Sequence, residues 1–248
     1  MWINHVGNAT EDIVKALIRE VYAVGAIPFV HYENMRIKRE LLMQCTEEQL
    51  RMMAERDCKE MSQMDVFIGI RGNINSAELS DVPSEKIEMY ETIYSKPVHY
   101  EVRIPKTRWV VLRFPTESMA QQSNMSSEAF RDFYYKVCNL DYSKMEKASM
   151  ALVDLMNRTD KVRITGDGTD LTFSIKDIPA VTCCGHMNIP DGEVYTAPVK
   201  DSVNGKITYN TPSVLQGFTY ENVCLEFENG KIIKATANDT ERINKVFD

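Results

Sequence analysis

The chain has 248 residues, 44% hydrophobic and 26% charged, which is enough to bury the core of one large domain or two smaller ones. Its formal net charge of −7 argues against nucleic-acid binding, which needs a concentrated basic surface. No apolar run approaches the length needed to cross a bilayer. The sequence therefore predicts a cytoplasmic protein with no nucleic-acid or membrane partner.

The six cysteines are scattered and show neither a CxxC spacing nor a disulfide framework. They are typical of reduced thiols in a reducing compartment. Cys183 and Cys184 precede His186, but this spacing matches no common zinc pattern. We interpret these two cysteines as strand residues that pack as small hydrophobes.

Hydrophobic periodicity predicts the elements of the first 158 residues. Thr10 is a plausible N-cap for a helix over Glu11–Val24 that Gly25 ends, because its apolar residues recur with a helical period. The next expected elements are a buried strand over Ile27–Tyr32, a helix from the capping box Thr46–Gln49 to about Lys59, strand Asp65–Ile70, helix Ser84–Tyr94, strand Trp109–Phe114, a helix capped by Ser126 or Ser127, and helix Tyr142–Asn157. This alternation predicts βαβ units and a mostly parallel sheet.

The segment 71–82 follows one of these strands. Ligands often bind beyond the carboxyl ends of strands in open α/β sheets. Gly69 and Gly72 are followed by neither a third glycine nor a Gly-Lys-Ser/Thr run, so a phosphate-binding loop is absent from this segment. We interpret Arg71, Asn73 and their neighbours as an ordinary polar loop.

The pattern changes near Arg158 to short strands separated by turn residues. Expected strands are Val162–Thr165, Leu171–Ile175, Glu193–Thr196, Lys206–Tyr209, Val223–Phe227 and Ile232–Ala237, followed by a helix over Asp239–Phe247. Asn229-Gly230 is the favoured two-residue hairpin turn. The predicted fold class is α/β: an N-terminal βαβ-type domain at 1–158 with a mostly parallel sheet, then a β-rich domain at 159–248.

The segment Asn188–Gly205 contains turn-forming residues, strand-forming residues and an acidic residue between them. Pro190, Asp191 and Gly192 suit the last three positions of a type I turn, so Glu193 is expected to open a strand. A carboxylate held at a strand end suits a metal ligand, which must stay within fractions of an ångström of its ion. An acid after such a turn is more often simply solvated, and both interpretations stay open at this point.

Four segments resemble the aminopeptidase T family, also called the thermophilic metalloprotease family. They are Arg113–Gln122, Asn124–Tyr134, Gly166–Leu171 and Asn188–Gly205, and they follow one another in the family's order. The sequence Pro-Asp-Gly-Glu-Val-Tyr-Thr-Ala-Pro, from Pro190 to Pro198, is the most specific part. The resemblance extends over nearly the whole chain.

The resemblance implies a two-domain metalloaminopeptidase that removes N-terminal residues from peptides. It implies a pair of divalent metal ions, with zinc, cobalt or magnesium as candidates, and a homodimer when the protein is complete. Glu193 falls at the position of the family's first metal-ligating glutamate, in the Gly-Glu-Val segment. A metal pair at such a site would polarise the scissile carbonyl and activate water.

The family's remaining ligands, its catalytic glutamate and its tyrosine lie beyond the point where this chain ends, and its opening helix lies before the start. The histidines match none of the family's ligand positions; they are His5, His31, His99 and His186. We therefore expect a chain truncated at both ends and inactive or partial by itself. The alternative is a non-catalytic α/β binding or assembly module in which Glu193 only finishes a turn.

Overall fold

The structure is a computed structural model that describes residues 1–215 and 218–247. The chain forms two compact units. The first comprises Met1–Leu140 and Gly185–Asp191, and the second comprises Asp141–Cys184 and the chain from Gly192 onward. No helix among the described residues is both long and apolar enough to cross a membrane.

Helices and strands alternate as far as Leu140. In chain order they are β1 (Trp2–Val6), α1 (Glu11–Ala23), β2 (Phe29–Glu33), α2 (Met35–Gln44), α3 (Glu47–Met61), β3 (Val66–Arg71), α4 (Ser84–Tyr90), a π-helix (Glu91–Arg103), α5 (Ile104–Lys106), β4 (Arg108–Arg113), α6 (Glu117–Gln122) and α7 (Ser127–Cys138).

Short strands predominate after α8. The remaining elements are α8 (Tyr142–Asn157), β5 (Lys161–Gly166), β6 (Thr169–Ser174), β7 (Val181–Cys183), β8 (Asn188–Ile189), β9 (Glu193–Tyr195), β10 (Asn204–Thr208), β11 (Ser213–Leu215), β12 (Phe218–Tyr220), β13 (Cys224–Glu228), β14 (Lys231–Thr236) and α9 (Thr240–Phe247). Short 3₁₀ helices occur at Asn8–Thr10 and Lys200–Ser202.

The first unit is built on a parallel sheet with strand order β2-β1-β3-β4-β8. This confirms the predicted α/β class with a mostly parallel sheet. Strand β1 lies between two partners: Trp2 pairs with Phe29 on one side and with Phe67 on the other. Successive side chains of a strand point to opposite faces of the sheet. When helices cover both faces, the side chains on both faces must therefore be buried.

Each face of this sheet packs against different helices. On one face Ile3 and Ile70, both 0% exposed, pack with Val14 and Val21 of α1. On the other face the buried cluster contains residues of β1, α3, the connection after α3, β3 and the π-helix: Trp2, Ala54, Met61, Met64, Phe67 and Val98. The core of the first unit therefore has two layers, one on each side of the sheet.

Several predictions for the first unit are wrong. Strand β1 was not predicted, because polar Asn4 and His5 interrupt its apolar pattern. Helix α2 was not predicted either; Asn34 caps it by accepting the backbone N–H of Arg36. The strand predicted as buried is instead exposed β2, where Tyr32 is 50% exposed, because β2 lies at the edge of the sheet. Edge position is a property of the whole sheet, so the local sequence does not reveal it.

Other predictions are confirmed by the cap geometry. The side chain of Thr46 accepts the backbone N–H of Gln49 at the start of α3, and that of Ser126 accepts the N–H of Ala129 at the start of α7. The helix predicted at Ser84–Tyr94 begins as expected. It continues as a π-helix past Pro97, which lacks the N–H that an α-helix would use.

The second unit contains an antiparallel sheet with strand order β14-β13-β10-β6-β5. Asn229 and Gly230 both have positive φ, at 48° and 78°, and they join β13 to β14 as the predicted hairpin turn. The helix predicted near the end of the chain is α9, and its Ile243 is buried with Leu225 and Ala235.

Helix α8 belongs to this second unit, where it packs on β7 and β9. The boundary expected at residue 158 falls just after the end of α8, and α8 covers the ribbon of β7 and β9 that follows it. The assignment of domains to 1–158 and 159–248 stays a prediction.

The buried layer over α1 can be tested with Ile3→Ala. We expect this change to lower the free energy of unfolding by about 3 kcal/mol, because it opens a cavity in the central strand. Ile74→Ala, at a position 63% exposed in the same unit, is the control and is expected to change it by less than about 0.5 kcal/mol. Urea denaturation followed by circular dichroism measures both, and equal losses would contradict the assignment of Ile3 to the core.

The hairpin turn of the second unit can be tested with Gly230→Ala. A Cβ at this position would lie 1.9 Å from the backbone oxygen of Lys200, and φ is +78°. We expect a loss of at least about 1 kcal/mol in the free energy of unfolding, measured by urea denaturation. Gly166→Ala, where a Cβ meets nothing within 4 Å, is the matched control. A variant at Gly230 as stable as that control would show the turn to be wrongly described.

Candidate functional site

Glu193 is the first residue of β9 in the second unit, as predicted from the turn before it. Strand β9 pairs antiparallel with β7, and Glu193 lies opposite Cys183 in the register. Its side chain is exposed. The carboxylate is therefore accessible to an ion or a ligand.

Contacts on both sides of β9 fix its position. Gly192 has φ +140° and lies against α8, where an added Cβ would be 3.1 Å from the sulfur of Met145. Two residues after the middle of the strand, the hydroxyl of Thr196 lies 3.3 and 3.2 Å from the carbonyl oxygens of Ile178 and Pro179. The backbone that carries Glu193 is therefore held at both ends.

Residues Gly185–Asp191, which precede Gly192, belong to the first unit. Strand β8 extends its parallel sheet, with Asn188 paired to Val111, and the carboxylate of Asp191 accepts the backbone N–H of Gly185 at 2.8 Å. The Ile189–Pro190 peptide bond is cis, which the predicted type I turn did not include. The chain bends at Pro190, but no type I turn forms over Pro190–Gly192.

The potential metal ligands near Glu193 in the described part of the chain are too few to hold a metal ion by themselves. Within residues 1–215 and 218–247, no group of three or more His, Cys, Asp or Glu side chains is placed to hold one. Catalytic zinc sites use three protein ligands and keep one position open. Glu193 can supply one oxygen ligand, so a metal pair needs ligands beyond those that the described residues bring together.

The histidines take part in packing or lie at the surface. His5 shares a hydrogen bond of 2.8 Å with Thr10, and His31 stacks on Trp2 with ring centroids 3.6 Å apart. His99 is packed against Phe67. His186 is exposed. All six cysteines are free thiols, and Cys184 is buried, as expected for a small hydrophobe.

The first unit contains a cavity of about 650 Å³ that was not predicted from the sequence. It is lined by residues from the sheet and from α2, α3 and the π-helix, including Arg71, Asn73, His99 and Arg103. The available signal was the position of Arg71 at the carboxyl end of a parallel strand, which was interpreted as part of a polar loop. Arg103 gave no signal, because the π-helix that carries it was not predicted.

Similar proteins include two curated aminopeptidases. Aminopeptidase PepS from Streptococcus thermophilus is 22% identical over 269 residues, a match that covers 94% of this chain and 64% of PepS. Aminopeptidase AmpS from Bacillus subtilis (strain 168) is 39% identical over 88 residues, covering 32% of this chain and 22% of AmpS. The chain thus spans less than two thirds of the length of either relative.

A solved structure shares the fold. Wild-type AmpT from Thermus thermophilus superposes with a TM-score of 0.75 at 21% identity, covering 99% of this chain and 68% of AmpT. At this identity the likeness concerns the fold alone. The sequence profile of the thermophilic metalloprotease (M29) family matches residues 3–247. Because that match covers nearly all of the sequence, the chain belongs to the thermophilic metalloprotease (M29) family.

Proposed function

We propose that this chain is part of a metal-dependent aminopeptidase and that Glu193 is one of its metal ligands. The observation that carries the proposal is the fixed, exposed carboxylate at the start of β9, in a chain of a metalloprotease family. The names of PepS and AmpS support aminopeptidase activity within this family. The proposed substrates are peptides with a free N-terminus.

The metal centre is proposed to hold two divalent ions, with zinc, cobalt or magnesium as candidates. When bound, such ions would supply an activated water and polarise the scissile carbonyl. This chain's contribution is one oxygen ligand, held by Gly192 and by the pairing of β9 with β7. Further ligands would have to come from a second polypeptide or from a longer form of this chain.

Two further features are proposed. A homodimer is proposed from the family resemblance. A cytoplasmic location is proposed from the free, scattered cysteines, which suit a reducing compartment.

The second candidate function is a non-catalytic α/β binding or assembly module. One observation favours it: among the described residues, no three potential ligands are grouped for a metal ion. In such a module Glu193 would be a solvated residue after a turn, and its substitution would change neither metal content nor activity.

The need for further ligands can be tested by aminopeptidase assays with leucine p-nitroanilide and added zinc, cobalt or magnesium. The 248-residue chain alone is expected to release no p-nitroaniline above the blank, because one carboxylate does not hold the metal pair. Strong release that Glu193→Gln abolishes would contradict the need for further ligands. That result would still support Glu193 as a metal ligand.

The ligand assignment itself is tested in a longer form of the chain that is active. There Glu193→Gln is expected to lower kcat/KM by at least about 10³-fold and to reduce the bound metal, because a first ligand is lost. Glu228→Gln is the matched control, since Glu228 is also an exposed strand glutamate of the second unit. Unchanged activity and metal content in Glu193→Gln would refute the assignment and favour the binding module.

A further inference from the structure

The cavity of the first unit has the size of a small-molecule site. Its volume is about 650 Å³, and pockets for small organic ligands have volumes of roughly 300–1,000 Å³. Aromatic side chains from the sheet and the helices line it: Trp2, Phe67, Tyr90, Tyr94 and Tyr100. The cavity therefore offers apolar walls to the body of a ligand.

One end of this cavity lies where the strand order of the sheet reverses direction. From β1 the chain first adds β2 on one side and then crosses to β3 on the other. In open parallel sheets, ligands bind at such a point, outside the carboxyl ends of the strands. Val6 ends β1, Arg71 ends β3, and Asn73 follows two residues later; all three line the cavity.

Arg103 reaches this cavity from the π-helix as a half-buried cation, and two of its donor nitrogens are buried without an acceptor among the described residues. Its guanidinium carbon lies 4.9 Å from the ring centre of Phe67 and 4.8 Å from that of Trp109. No oxygen of the described residues accepts a hydrogen bond from its buried Nε or Nη1. Such donors cost several kcal/mol when left unsatisfied, so their burial beside open space indicates a missing acceptor.

Arg71 adds a second positive charge near Arg103. Burial lowers the pKa of Arg103, and the charge of Arg71 lowers it further. Two other cations of the cavity are neutralised: Lys38 pairs with Glu33, and Arg56 pairs with Asp57, both at 2.6 Å.

No such ion pair within the described residues joins Arg71 or Arg103 to a carboxylate, although Glu91 also lines the cavity. The Arg71 and Arg103 charges are therefore available to an anion.

Further polar atoms of the cavity lining have no hydrogen-bond partner among the described residues. They include Nδ1 of His99 and Oδ1 of Asn73, and both are buried. Burial lowers the pKa of His99 to about 4, and the nearby charges of Arg103, Lys38 and Arg71 act in the same direction against a weaker opposite effect of Glu33. The neutral imidazole can then donate or accept a hydrogen bond.

We propose that this cavity binds a small organic anion whose phosphate or carboxylate group is contacted by Arg71 and Arg103. The rest of the ligand packs on the aromatic walls, and His99 and Asn73 supply further hydrogen bonds. The site is independent of the proposed metal ligand, because all of its residues belong to the first unit.

Titration calorimetry on the full chain, at constant ionic strength, tests this site. The probes are phenyl phosphate, phenylacetate and inorganic phosphate, with uncharged benzyl alcohol as the blank. We expect saturable binding of at least one of the two organic anions, and the preferred one identifies the phosphate or the carboxylate as the recognised group. Failure of both organic anions to bind would overturn the proposal. Equal affinity for inorganic phosphate and phenyl phosphate would overturn the role of the aromatic walls.

Three arginine variants show where binding occurs. Arg71→Met and Arg103→Met are expected to weaken it at least about tenfold, because each removes a charged hydrogen-bond donor. Arg108→Met, at the amino end of β4 and outside the cavity lining, removes the same charge and is expected to stay within about twofold. Equal losses in all three variants would show non-specific attraction and overturn the site.

A measurement on the unmodified chain covers the case in which a variant does not fold. A bound anion offsets the charges of Arg71 and Arg103, so the pKa of His99, followed by NMR of its ring protons, should rise by about one unit or more. An unchanged His99 pKa at a saturating concentration of the organic anion that binds would place the anion elsewhere and refute the proposal.

Discussion

The pairing of β1 on both of its edges is the constraint on which the first unit depends. Its peptide groups bond to β2 and β3, and both faces of the sheet must therefore be covered by helices. Ile3 packs toward α1, and Trp2 packs toward α3 and the π-helix. Farther along the face that carries Trp2, Asn4 pairs with Gly69, and both residues line the cavity. Neither residue has an apolar side chain that would fill this space. The same strand thus supports the core and opens the cavity.

Charge inside this cavity is arranged differently from charge elsewhere on the molecule. Surface ion pairs such as Arg163 with Asp170 lie in water and contribute little to stability. Arg103 is half-buried against aromatic rings with two buried donor atoms unused, which is unfavourable for the fold without a ligand. Natural proteins keep such unfavourable groups mainly at functional sites. This contrast distinguishes a candidate binding site from a solvated charged face.

In the second unit, a small number of contacts to β9 positions Glu193. Among the described residues, strand β9 pairs with the short strand β7 alone, and its placement also depends on Gly192 against Met145 and on the hydroxyl of Thr196. These contacts direct the backbone and leave the carboxylate exposed. A fixed carboxylate is a suitable ligand, but metal chemistry needs several ligands converging on one ion. The geometry of β9 therefore supports a part of a metal centre.

Local sequence by itself determined the α/β class, the caps at Thr46 and Ser126, the hairpin at Asn229-Gly230 and the strand that Glu193 opens, because each depends on residues close together in the chain. Tertiary structure decided the rest. Strand β1 exists despite two polar residues because neighbours hydrogen-bond to both of its edges, and β2 is exposed because it is an edge. Arg71 and Arg103 line one cavity although 32 positions separate them in the sequence. No local sequence pattern predicts that Arg71 and Arg103 lie close together, because this happens only when β3 and the π-helix pack together.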